Sequence, residues 1–229
     1  MTDQELKDLL PPQDRKLIGQ SFQIYNSASK LMKMKLEIWS SEFKTNSYHN
    51  PIHHIEARIK SPESIVEKLH RLDVPFTLAS MEENVLDLAG VRVVCRYIDD
   101  VYHIAELIKG SDMEIIKSSD YIKNPKPNGY RSYHIVLRVP VPLSCTNPQV
   151  PVEVQIRTIA MDTWASLEHE ILYKVSANER EAKVAYLKEC AEELAHIDYK
   201  MQFLFQMGRV YSPETEGPEK PLLVTPLIS

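Results

Sequence analysis

Cysteine is scarce in this chain of 229 residues, and the three that occur, Cys95, Cys145 and Cys190, stand far apart with no CxxC pair. That excludes a disulfide framework and fits a reduced, cytoplasmic setting. No uninterrupted apolar run is long enough to span a bilayer, and the N-terminal MTDQELKDLLPPQ lacks the apolar core of a signal peptide. Neither a membrane nor a secreted role is expected. No internal repeat is visible. Positive charge is also short: 27 Lys and Arg against 32 Asp and Glu give a net charge of -5, with a pI near 5.9. General nucleic-acid binders are normally basic. No stable nucleic-acid partner is therefore expected, and any nucleotide must be met by a local basic patch.

What is present suffices for one well-packed domain with helical extensions: 43% hydrophobic and 26% charged residues. Leu17, Ser21, Tyr25, Ala28, Met32, Leu36, Trp39 and Phe43 recur at helical steps, predicting a helix over about 14–45 that NSYHNP breaks. Ser61 can cap a second helix, Pro62 suits its first turn, and Ile65, Leu69 and Leu72 form its apolar face. Three strands are predicted, at 91–98, 132–141 and 150–159, with a short helix in VYHIAELIKG between the first two. Two helices follow, over 162–174 with Trp164, Leu167 and Ile171, and over roughly 178–207. The stripe of the latter, Val184, Leu187, Ala191, Leu194, Ile197, Met201 and Leu204, would pack on the domain or on another subunit. Trp39 and Trp164 read as core, and the tail from Tyr211 as loose. The organisation is an N-terminal helical extension (1–45), a mixed α/β core domain (46–176), a C-terminal helix (177–210) and a tail (211–229).

The third strand alternates sharply. Val152, Val154 and Ile156 share one face; Glu153, Gln155 and Arg157 share the other. A solvated strand would also show a polar face, but here a second acid, Asp87, stands just before another strand. Two carboxylates on neighbouring strands can hold Mg²⁺, which takes hard oxygen ligands and leaves room for substrate phosphates. In YIKNPKPNGYRSYH, Lys123, Lys126 and Arg131 cluster, Asn128-Gly129 bends the loop, and Tyr130 is expected exposed at the turn. Stacking beside cations suits a purine with phosphates, although a plain lysine-rich loop has the same composition. Arg58, Lys60, Ser64 and Lys68 stand at the entry to the second helix, whose N-terminus favours phosphate. His49, His53 and His54 cluster in SYHNPIHH, but at no standard zinc spacing and with no cysteine nearby, so a loop cluster without metal is expected.

RIKSPESIVEK (58–68), DLAGVRVVC (87–95), KNPKPNGYRSYH (123–134) and EVQIRTIAMDTWASLEHEILYK (153–174) together resemble the synthetase domain of RelA/SpoT-type alarmone synthetases, in particular the short single-domain ones. The blocks keep the family order over about half the chain, with no room for the hydrolase and regulatory regions of the large relatives. The resemblance implies a nucleotidyltransferase-like mixed β-sheet flanked by helices, an α/β (α+β) fold. It implies Mg²⁺-dependent transfer of pyrophosphate from ATP to the 3′-hydroxyl of GTP or GDP, giving AMP and (p)ppGpp, the alarmone of the bacterial stringent response. Arg58 and Arg92 would sandwich adenine. Lys60, Ser64 and Lys68 would hold the ATP phosphates, Asp87 the metal. Glu153 would sit between metal and acceptor as the general base. Tyr130 would stack on guanine; Lys126 and His134 would approach the acceptor phosphates with Arg131 nearby; Gln155 and Glu168 would line the acceptor side. Asp162 stands where relatives often carry Asn; it either accepts from the guanine N–H groups or only caps its helix. Terminal helices commonly build a tetramer in such enzymes, so a homotetramer is expected. The alternatives are a relative that pyrophosphorylates tRNA 3′ ends and a non-catalytic nucleotide sensor.

Overall fold

The first helix ends where NSYHNP interrupts its apolar spacing. In the computed structural model, which describes residues 12–75, 77–172 and 177–210, helix α1 spans Pro12–Asn46. Tyr25, Ala28, Met32 and Leu36 are buried along it, and Trp39 and Phe43 pack half-buried against the same core. The remaining helices are α2 (Pro62–Arg71), α3 (Leu78–Asn84), α4 (Ile98–Lys109), α5 (Ile159–Ile171) and α6 (Ala177–Val210). The tail expected to be loose from Tyr211 lies outside the described residues.

Five strands form one sheet in the order β1-β2-β5-β4-β3: β1 (Ile52–Ile59), β2 (Ala89–Cys95), β3 (Ile115–Asp120), β4 (Tyr133–Pro140) and β5 (Gln149–Thr158). β2 and β5 run parallel, and every other pair is antiparallel. The last strand in sequence is thus the middle strand in space. Val91 and Val93 of β2, Val152, Val154 and Ile156 of β5, and Ile135 and Leu137 of β4 meet across this register. They join Ala28, Met32 and Leu36 of α1 and Ile104 and Ile108 of α4 in one buried core. Each such side chain contributes about 1.5–3 kcal/mol when fully buried.

The sequence predicts the three inner strands, and misses the two at the edges and the short α3. β1 carries His53, His54, Glu56 and Arg58 among its eight residues and bulges between Ile52 and His54; β3 includes Lys117, Ser118 and Ser119. An edge strand is half wet, and its alternation is correspondingly diluted. Three apolar expectations also change. Leu72 lies past the end of α2 and is exposed, as are Leu167 and Ile171 on α5. On α6 the stripe splits: Leu187 and Ala191 pack on Trp164, whereas Ile197, Met201 and Leu204 are 49%, 54% and 60% exposed. Beyond Ala191 the face turned to the domain carries Asp198 and Gln202 instead, both buried. Gln202 exchanges hydrogen bonds with Asp99: the Asp99 N–H donates to its Oε1 (3.0 Å) and its Nε2 donates to Asp99 Oδ2 (2.7 Å).

Candidate active site

The sheet face opposite the apolar core gathers the polar residues of four strands. Gly90 and Arg92 of β2 lie beside Glu153 and Gln155 of β5, Arg58 of β1 lies beside Gly90, and His134 of β4 lies beside Gln155. Two clusters stand on this face.

The first centres on Asp87, in the turn before β2. Lys60, just after β1, is placed by its backbone N–H bond to the Leu88 carbonyl (2.9 Å) and donates its Nζ to Asp87 Oδ2 at 2.8 Å. Lys68, on α2, donates to Oδ1 at 2.6 Å. Burial alone would raise the Asp87 pKa, but the two ammonium groups outweigh it and hold it below the usual carboxylate value. Ser64 stands in the first turn of α2, where Ser61 caps the helix: the Ser64 N–H donates to Ser61 Oγ (3.3 Å), and the Ser61 hydroxyl donates to Ser64 Oγ (3.0 Å). Ser64 and Lys68 lie one turn apart on one helix face.

The second cluster centres on Glu153. His134 Nδ1 lies 3.0 Å from its Oε1, and Gln155 Nε2 donates to its Oε2 at 2.6 Å. Burial pushes the Glu153 pKa up; His134 and Gln155 reverse this and leave it lowered, while the nearby Asp87 charge opposes ionisation. On the far side of His134, Nε2 lies 2.8 Å from the Tyr130 hydroxyl. Tyr130 is half-buried rather than exposed at the turn, because its ring meets His134 and Trp164 edge-on. Lys126 Nζ lies 4.8 Å from the Tyr130 ring centre and 4.9 Å from that of Tyr121.

Between these clusters lies a residue the sequence reading placed on the polar face without giving it a role. Arg157 is 4% exposed and donates to Tyr130 Oη (2.7 Å), Gln155 Oε1 (2.8 Å) and Asp162 Oδ1 (3.2 Å). The alternation of β5 was its signal, since it projects beside Glu153 and Gln155. Asp162 Oδ1 also lies 3.3 Å from Arg92 Nε, so Asp162 bridges two guanidiniums. It does not cap α5: that position belongs to Thr158, whose side chain accepts from the Met161 N–H. Arg92 in turn reaches Glu56 at 3.5 Å; burial first, then the charge of Arg157, lowers its pKa below the usual guanidinium value.

Two expected residues stand outside these networks. Arg131 turns to α6, donating to the carbonyls of Ala191 (3.1 Å) and Gly129 (3.2 Å). Glu168 accepts from Asn128 Nδ2 at 3.2 Å and so touches the loop that carries Tyr130. The three histidines do not converge. His49 pairs with Asp100 at 2.9 Å, whereas His53 and His54 lie on β1 rather than in a loop.

Asp87 and Glu153 offer hard carboxylate oxygens favoured in their charged form, each close enough to feel the other. Among the described residues, no group of three or more His, Cys, Asp or Glu side chains could hold a metal alone. The donor set therefore fits Mg²⁺ shared with substrate phosphates rather than an all-protein cage.

A family model described as a region found in RelA / SpoT proteins matches residues 57–178, which include every expected site residue from Arg58 to Glu168. GTP pyrophosphokinase YwaC of Bacillus subtilis (strain 168) is 44% identical over 179 residues, 78% of this chain and 85% of that protein. GTP pyrophosphokinase YjbM of the same strain is 34% identical over 178 residues, 77% and 83% respectively. Among solved structures, small alarmone synthetase 1 from Bacillus subtilis, bound to its product pppGpp, superposes with a TM-score of 0.77 at 31% identity, covering 85% of this chain and 99% of that one. Small alarmone synthetase 2 from the same organism gives 0.72 at 40% identity over 82% and 98%.

Proposed function

Because this chain belongs to the RelA/SpoT family, we propose that it is a small alarmone synthetase, a GTP pyrophosphokinase that transfers pyrophosphate from ATP to the 3′-hydroxyl of GTP or GDP. The ribose oxygen attacks the β-phosphorus of ATP, a new O–P bond forms, the bond between the β-phosphorus and the α,β-bridging oxygen breaks, and AMP departs with that oxygen. The products are pppGpp or ppGpp.

Such transfers are catalysed by positioning and charge neutralisation. Arg58 and Arg92 line the face where adenine would lie. Lys60 and Lys68, both aimed at Asp87, are the cations for the ATP phosphates, with Ser64 at the helix entry. Magnesium held by Asp87, with Glu153 alongside, would neutralise phosphate charge when bound. Glu153 is favoured in its ionised form and takes the hydroxyl proton. Tyr130 stacks on guanine; Lys126 and His134 meet the acceptor phosphates; Gln155, Asp162 and Glu168 line the acceptor side. The observation that carries this reading is the pair of carboxylates on one sheet face, Asp87 with two lysines and Glu153 with a histidine.

Asp87→Asn and Glu153→Gln should each lower turnover by at least about a hundredfold while the melting temperature stays within a few degrees of wild type. γ-labelled ATP offered with GTP, GDP or tRNA reads both turnover and acceptor choice. Wild-type turnover in either variant overturns the role assigned to that acid; label on tRNA alone would make the acceptor an RNA end.

Two further parts of the proposal concern the whole protein. A homotetramer is supported by the exposed apolar residues of α6 and by Leu167 and Ile171 of α5. A cytoplasmic location follows from the supply of ATP and GTP. No helix of the described residues is long and apolar enough to cross a membrane.

A further inference from the structure

The Tyr130 hydroxyl lies at a junction whose hydrogen-bond polarity can be assigned donor by donor. Glu153 in its ionised form only accepts, so His134 Nδ1 carries the proton between them (3.0 Å). Nε2 of the neutral imidazole is then an acceptor, and Tyr130 gives it the one proton it has (2.8 Å). The phenol oxygen is left to accept, and Arg157 supplies the donor at 2.7 Å. The hydroxyl is thereby used in both directions, and the far end of the ring is fixed. Arg157 is itself held by two further acceptors, Gln155 Oε1 and Asp162 Oδ1, so its guanidinium serves a loop, a strand and a helix at once. Only a rigid planar fork spans three such acceptors. The arrangement also leaves Arg157 Nε buried without a hydrogen-bond partner. That is costly and not what packing alone would favour.

We propose that Arg157 is a positioning residue of the acceptor pocket, acting through the hydroxyl of Tyr130. The inference rests on the reading of Tyr130 as the ring that stacks on guanine. Without the hydroxyl, or without the fork that meets it, the ring loses its fixed plane, and guanine binding weakens before anything else.

Calorimetric titration of GDP and of a non-hydrolysable ATP analogue into Tyr130→Phe, Arg157→Lys and the double variant tests this, with a melting curve for each. The GDP dissociation constant should rise about tenfold in each single variant and no further in the double, because both changes break one link. The affinity of Tyr130→Phe for the ATP analogue should stay within about twofold of wild type. Wild-type GDP affinity in Tyr130→Phe overturns the proposal, as do losses that multiply in the double variant. If Arg157→Lys does not fold, Tyr130→Phe decides alone. Wild-type protein that binds no guanine nucleotide overturns both this inference and the functional reading; binding without pyrophosphate transfer overturns only the latter.

Discussion

Gly129 shows how much can rest on one missing methyl group. Its φ of +92° is strained for any side chain, and a Cβ built there would lie 2.7 Å from Ala191 Cβ and 3.2 Å from Lys188 Cα. The turn it closes, with its N–H bonded to the Lys126 carbonyl at 2.8 Å, presents both Lys126 and Tyr130 to the site. Gly129→Ala should therefore destabilise the protein by about 2–4 kcal/mol and weaken GTP binding as well. Adding Ala191→Gly removes the clash but not the backbone strain, so denaturant melts should show recovery of only about 1–2 kcal/mol. Full recovery would mean that the strain at φ +92° contributes nothing.

Among the elements, α6 is held by contacts of an unusual kind. Its buried Asp198 accepts from the Thr158 hydroxyl at 2.5 Å, and Thr158 both ends β5 and caps α5. Burial pushes the Asp198 carboxyl up to about 6, against the pull of Thr158 and Arg131. A folded-state value above the ordinary one means that the folded protein binds this proton more readily than the unfolded chain. The contribution is complete below the ordinary pKa of 3.8 and is lost as pH rises through about 6. Stability of the wild type should fall, relative to Asp198→Asn, by on the order of 2 kcal/mol between pH 4 and pH 7. Urea melts of both proteins at the two pH values measure the difference, and parallel behaviour would rule the effect out.

The same helix marks the boundary of what the sequence reveals. Helical spacing identifies α6, but a stripe of seven apolar residues does not say where the domain stops, because Ile197, Met201 and Leu204 look the same whether a neighbour covers them or not. The inner strands were legible because burial on one or both faces forces a strong pattern; β1 and β3, with one edge open, share their composition with loops. In the site, Asp87, Glu153 and the basic residues were legible from residue type and order. Arg157 as the donor to Tyr130, and Asp162 as the bridge between Arg92 and Arg157, were not, since both depend on which side chains the register of β2, β5 and β4 brings within 3.5 Å. Arg131 misled because a cation in a basic loop carries no sign of the direction it faces.

At the scale of the whole molecule, the exposed side of α6 bears on assembly. Met201→Glu with Leu204→Glu places two charges on the uncovered stripe, and neither residue belongs to the buried core. Light scattering should show the variant at a lower mass than the wild type, with a melting temperature near that of the intact domain. Unchanged mass would remove α6 from the assembly interface.

The position of β5 also governs the order in which the molecule can come together. Before its residues leave the ribosome, the sheet exists only as two separate antiparallel pairs, β1 with β2 and β3 with β4. Nothing else bridges them within the sheet. Asp87 lies beside one pair, His134 lies on the other, and Glu153 arrives on the strand that inserts between them. A nascent chain therefore has no assembled catalytic face until residue 158 has emerged. The enzyme cannot begin to consume nucleotide while most of it is still being made, and in refolding the appearance of activity should coincide with closure of the sheet rather than with formation of the helices.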